Sequence, residues 1–231
     1  MREARVRILE VVGLTCRVGG VAALDALSFT VEEGEIFALC GPAGAGKTLG
    51  LRCLAGSLPF ESGRLIYDGR EITGTDPREL ARQGLVRVGE ISMPPWSLAV
   101  TEAITLARRW PRWGPLSAAL ARWPGVEGRA QDAALLERVG LAADARRPRD
   151  ELSAAGLARL ELAQALALAP RVLLLDGPLG RLPIEDRPGM AALIASLRAS
   201  GATVVLTERE PAVAEAVADR VATLDRGALV R

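Results

Sequence analysis

The sequence predicts an α/β fold built on a mainly parallel sheet, and three observations carry that reading. Short apolar runs alternate with longer helical stretches along most of the chain, the pattern of strands joined by crossover helices. One such run, residues 36–40, passes at once into the glycine-rich stretch Gly41-Pro42-Ala43-Gly44-Ala45-Gly46-Lys47-Thr48. A second, Val172-Leu173-Leu174-Leu175, ends on Asp176, so that an apolar strand delivers a carboxylate to its carboxyl end.

Taken in order, residues 6–12 and 26–31 read as strands, the second closing in the turn Glu32-Glu33-Gly34-Glu35. Residues 36–40 form a short buried strand, and 48–55 the helix behind the glycine loop. Residues 65–67, followed by Asp68-Gly69, read as a hairpin strand. Helices are expected over 77–83, 101–109 and 130–139, the last closed by Gly140, and over 157–168, ended by Pro170. Beyond Asp176 come a helix over 184–199, a buried strand over 203–206, a helix over 211–218 and a strand over 221–224. The turn Asp225-Arg226-Gly227 follows. The stretch from about 83 to 155 carries almost no strand signal and reads as a helical insert in a single domain spanning 1–231.

Composition narrows the function classes. With 49% hydrophobic and 25% charged residues the chain suits a folded globular protein. A net charge of +1 offers no electrostatic case for nucleic acid. Its apolar runs fall far below the about 18–20 residues that a membrane span needs. Arg2, Glu3, Arg5 and Arg7 surround no apolar block, so no signal peptide is expected. Cys16, Cys40 and Cys53 follow no metal-binding spacing and suggest a reducing compartment.

Lys47 is the only lysine; the 29 basic residues less this one leave 28 arginines. It sits where a compact ammonium is needed, because a planar guanidinium does not fit inside a loop wrapped around phosphates. The stretch 41–48 matches the phosphate-loop pattern at every fixed position, in the strand–loop–helix context that gives the pattern meaning. Its backbone N–H groups receive phosphate oxygens, Lys47 reaches the β- and γ-phosphates, and the Thr48 hydroxyl ligates Mg²⁺. Asp176 alone is equally a cap or turn residue; beside a phosphate loop it is the carboxylate of the Mg²⁺ site. Ser153, in Leu152-Ser153-Ala154-Ala155-Gly156, is on physics alone a helix cap. Trp96, Trp110, Trp113 and Trp123 all lie in the expected insert, where core packing or a protein contact is the default.

Phosphate loop, serine-led signature with a long helix, then Leu-Leu-Leu-Asp: in this order the set resembles the nucleotide-binding subunits of ABC transporters. Leu24-Asp25-Ala26-Leu27-Ser28-Phe29, Asp68-Gly69-Arg70-Glu71-Ile72-Thr73-Gly74, Leu160-Glu161-Leu162-Ala163 and Ala218-Asp219-Arg220-Val221 are similar to the branched-chain amino-acid importer group. The resemblance spans roughly 6–231. It implies an α/β fold with a P-loop NTPase core of the ABC-ATPase type, an antiparallel β subdomain and a helical insert. It also implies ATP and Mg²⁺ as cofactors, membrane permease subunits and a homologous ATP-binding subunit as partners, and a place at the cytoplasmic face of the cell membrane.

The chain departs from the family pattern at particular positions. Leu49 stands where a second threonine helps hold the α-phosphate, and Val18 where an aromatic ring stacks on adenine. Glu90 replaces the glutamine that touches Mg²⁺ and the attacking water. Ala155 and Gly156 end the signature in place of Gly-Gln, Gly177 replaces the glutamate after Asp176, and Arg209 replaces the histidine that bridges the γ-phosphate. The stretch Gly180-Arg181-Leu182-Pro183 is irregular too. What survives (Lys47, Thr48, Asp176, Ser153) handles ground-state phosphates and metal; what is lost handles the attacking water. Loss of a group that activates or positions water costs ~10²–10⁴-fold. The expectation is MgATP binding, weakened without the adenine aromatic, with poor hydrolysis. Two alternatives stand beside it: a working ATPase rearranged around Glu90 and Arg209, and a non-transport regulatory or pseudo-ATPase subunit.

Overall fold

A computed structural model describes residues 6–89, 97–109 and 126–230. Two sheets organise them. Strands β1 (Arg7–Val18) and β2 (Val21–Glu32) form an antiparallel hairpin. Its two-residue turn, Gly19-Gly20, takes positive φ at both positions, the turn whose twist matches paired strands. Strand β4 (Ser62–Tyr67) pairs with the other edge of β1, and β5 (Arg70–Glu71) folds back on β4 through Asp68-Gly69. The order of this antiparallel sheet is β2-β1-β4-β5.

The second sheet has the order β10-β9-β3-β8-β7-β6. Strands β3 (Ile36–Cys40), β6 (Leu85–Arg87), β7 (Val172–Asp176), β8 (Thr203–Glu208) and β9 (Arg220–Asp225) run parallel; β10 (Ala228–Val230) closes the edge antiparallel to β9. Every residue of β3 and β8 is buried, as central parallel strands covered on both faces require. Their alternation sorts side chains between two cores. Ile36, Ala38, Cys40, Leu173, Leu175, Val204 and Leu206 face one. They meet helices α3 (Val100–Arg109), α4 (Val126–Val139), α5 (Ala154–Leu166) and α6 (Arg187–Ala199). Phe37, Leu39, Val172, Leu174 and Val205 face the other, against the antiparallel sheet and helix α1 (Lys47–Leu54).

Helix starts follow local chemistry. Asp76 caps α2 (Pro77–Arg82) by accepting from Arg78 N at 2.8 Å, with Pro77 at the first helical position. Ser153 caps α5 through Gly156 N at 3.1 Å. Within the expected insert, α3 and α4 are clamped by Asp132, which is fully buried and accepts from Thr105 Oγ1 and from Arg108 Nη2, both at 2.6 Å. The same stretch also holds a strand: β6 lies parallel to β7, pairing Leu85 with Val172. Three residues on a sheet edge carry too little periodicity to announce themselves. A short helix α7 (Pro211–Glu215) precedes β9. The four tryptophans and Glu90 lie outside the described residues.

Candidate functional site

Strand β3 delivers the glycine loop to the carboxyl edge of the parallel sheet, and the loop turns directly into α1. Gly46, the residue before α1, has φ +101, and a Cβ there would stand 2.4 Å from Ala23 O. Only glycine fits that turn. Having no side chain, Gly46 also offers no cap, so the first-turn N–H groups of α1 stay available to an anion. Lys47 Nζ donates to Gly41 O at 2.6 Å and Pro42 O at 2.7 Å, folding the ammonium over the loop. Burial lowers its pKa most, the Arg209 guanidinium next, and Asp176 opposes both.

A cavity of about 520 Å³ opens here, lined by residues 43–49 of the loop and helix, Asp176, Gly177, Gly180, Arg181, Thr207, Glu208 and Arg209. The sequence-derived set is thus largely brought together: Lys47, Thr48, Leu49, Asp176, Gly177 and Arg209 share one space, with Gly41 and Pro42 holding the lysine. Ser153 stands outside it as the cap of α5, and Val18 is 53% exposed at the tip of the β1–β2 hairpin.

Three side chains to which the sequence reading assigns no role complete the geometry. Asp176 Oδ1 accepts from Thr48 Oγ1 at 3.1 Å and from Thr207 Oγ1 at 2.8 Å; Oδ2 is ion-paired with Arg181 Nη2 at 3.0 Å. Glu208, 2% exposed, accepts from Leu179 N at 2.7 Å and Gly180 N at 3.1 Å, pinning the turn that follows Asp176. Gly177 has φ +61, and its N–H donates to Thr207 O at 2.9 Å and Thr207 Oγ1 at 3.1 Å. The parallel register pairs Asp176 with Thr207, which is why neighbours so distant in sequence converge.

A sequence model of the ABC transporter family matches residues 24–180. The chain belongs to the ABC transporter family. The high-affinity branched-chain amino acid transport ATP-binding protein BraF of Pseudomonas aeruginosa is 32% identical over 227 residues, which cover 96% of this chain and 89% of that protein. LivG of Salmonella typhimurium, a protein of the same description, is 31% identical over 227 residues, covering 95% and 89%. Among solved structures, the ADP conformation of the ATP-binding cassette MJ1267 superposes with a TM-score of 0.87 at 24% identity, over 97% of this chain and 90% of that one. The dimeric post-hydrolysis cassette MJ0796, bound to ADP and Pi, gives 0.81 at 23% identity over 97% of each chain. These likenesses establish the fold of an ABC cassette: a P-loop α/β core joined to an antiparallel sheet and helices.

In this ABC cassette the expected Mg²⁺ donors, Thr48 and Asp176, do lie side by side. Their surroundings nevertheless do not fit a divalent cation. The carboxylate is 11% exposed, and Arg181 already neutralises it. Position 177 contributes no side chain, and Arg181 lies across it: a Cβ on Gly177 would stand 3.3 Å from Arg181 Nε. Lys47, Arg181 and Arg209 line the cavity as cations, whereas Glu208 is already engaged by the two amides. Such a pocket can hold a polyanion through charge and backbone N–H groups. Among its described residues no free carboxylate stands ready to take a proton from water.

Proposed function

We propose that this chain is the ATP-binding subunit of an ABC importer of the branched-chain amino-acid type, and that it binds ATP but hydrolyses it poorly. The observation that carries the reading is the shared cavity. It joins the phosphate loop, Lys47 and Asp176 to a position, Gly177, that offers no base. The likeness to BraF and LivG over nearly the whole chain supports the importer group. In the reading, Lys47 exchanges the carbonyls of Gly41 and Pro42 for phosphate oxygens, while the amides of the loop and of α1 enclose the phosphates. Arg209 adds charge near the terminal phosphate and takes no proton, because a guanidinium stays protonated. The chain acts against membrane permease subunits at the inner face of the cell membrane, paired with a homologous ATP-binding subunit. Ser153 and the start of α5 face the partner's nucleotide in that pair. An intact partner would leave one site built on Lys47 here and one built on its own phosphate loop.

A single-turnover assay tests the reading, with limiting labelled ATP, Mg²⁺ present and protein in excess. Label is expected to bind and to remain intact for many minutes. Lys47→Ala is expected to weaken binding by about 10–100-fold, the loss of a charge-assisted contact. Phosphate release within seconds, abolished by Lys47→Ala, would overturn the claim of poor hydrolysis. Arg209 does line the cavity, which favours the rearranged-ATPase alternative, and in that outcome Arg209→Ala should silence release.

A further inference from the structure

Asp176 meets the phosphate site with its charge already answered. Of the two carboxylates that line the cavity, Glu208 is buried and bonded to the amides of Leu179 and Gly180. That leaves Asp176 to face an incoming triphosphate. A partly buried carboxylate repels phosphate unless a cation stands between them. The Arg181 guanidinium pairs with Oδ2 at 3.0 Å and lines the same cavity, so its charge offsets that of the carboxylate.

Two local features hold the arrangement in place. The Arg181 stem packs over Gly177: a Cβ there would lie 3.3 Å from Nε, a tight contact, and 3.5 Å from Cγ, an ordinary one. The turn that carries Arg181 is anchored by Glu208 through Leu179 and Gly180, so its backbone is held while the side chain stays 68% exposed at the cavity rim. The missing side chain at 177 and the arginine at 181 therefore belong to one arrangement. A guanidinium has five N–H donors and keeps its charge at every accessible pH. With one donor on Asp176 it has others for phosphate oxygens.

We propose that Arg181 stands in for the divalent cation, so that this cavity binds a nucleoside triphosphate independently of Mg²⁺. The inference rests on the nucleotide-binding reading above and deepens it. Equilibrium titration of the intact chain with a ribose-labelled fluorescent ATP, in excess Mg²⁺ and in excess EDTA, tests it. Wild-type Kd values in the two conditions should agree within about threefold. Arg181→Ala should weaken binding in EDTA by about 10–100-fold, with Mg²⁺ recovering most of the loss. Arg181→Lys should fall between, since it keeps the charge and loses the fork. A merely structural arginine would weaken both conditions alike, and thermal unfolding of each variant reports its folding. Wild-type binding that needs Mg²⁺ by tenfold or more would overturn the inference and leave the nucleotide reading intact. Equal Mg²⁺-independence of Arg181→Ala would remove Arg181 from the role. Failure to bind in either condition would overturn both.

Discussion

Gly177 is where one absent side chain changes what its neighbours do. With φ +61 the turn takes a left-handed step, and Arg181 fills the space above it. A simple restoration should therefore fail. A glutamate at 177 would inherit a conformation that costs L-residues about 1–2 kcal/mol. Its carboxylate would also meet Arg181 before it met water. Gly177→Glu alone is expected to release no more phosphate than wild type in single turnover. It should also lower the melting temperature by about 2–8 °C. Recovery of ordinary turnover by that one change would refute the account. The same position shows how far residues can be read from sequence. Lys47, Thr48 and Asp176 are legible because a fixed spacing, or an apolar run ending in a carboxylate, places them without help from the fold. Arg181, Thr207 and Glu208 are not. Their roles come from the β7–β8 register and from a turn whose shape no local pattern encodes.

Elements were legible where punctuation marks their ends, and length alone was no guide: β1 and β2, twelve residues each, are expected only over 6–12 and 26–31. Strand β3 and helices α2 and α3 stand within a residue of their expected bounds; Pro77 marks the start of α2, and the Gly34 turn and the glycine loop bracket β3. Strands β6 and β10, three residues each, left almost no trace and exist because β7 and β9 offer them an edge. The clamp between α3 and α4 was equally silent, because an aspartate on a helix usually faces solvent. Asp132 faces inward, bonded to Thr105 and Arg108. Arg108 has a side chain only 31% exposed and also donates to Ala167 O at 3.3 Å; removing the charge would cost it the ion pair with Asp132. Asp132→Asn is expected to destabilise by about 1.5–3 kcal/mol, the range for hydrogen bonds to charged groups. Urea unfolding should show this as a lower midpoint at unchanged slope. An unchanged midpoint would mean that the insert is held by its apolar contacts alone.

Across the whole molecule, two cores share one sheet; one holds the buried thiol of Cys40 and the other those of Cys16 and Cys53. Cys40 lies in the core under the helices; Cys53 lies in the other, joining α1 to the antiparallel sheet. Burial pushes the Cys40 thiol from 9.0 up to about 11, with Glu208 adding to the effect. Burial, then the neighbouring Cys16, pushes Cys53 up to about 12. Below pH 9 both thiols are protonated whether the chain is folded or not, and their contribution is complete. Above it the unfolded chain releases protons that the folded chain keeps, so stability falls as pH rises toward the folded values. Tyr67, raised above 10.0 by burial, acts in the same direction. Lys47 acts oppositely, since its folded pKa lies below 10.5 and the unfolded chain holds that proton longer. Three groups oppose one, and Lys47 is also the least buried of the four. The melting temperature should hold steady from neutral pH to about 9 and then decline through the alkaline range. Replacing Cys40 and Cys53 together by alanine should flatten that decline relative to the variant's own neutral value, because what the change removes is the proton difference between states. A melting temperature that stays level into the strongly alkaline range would show that both cores accept thiolates at no cost, against the burial that both sites display.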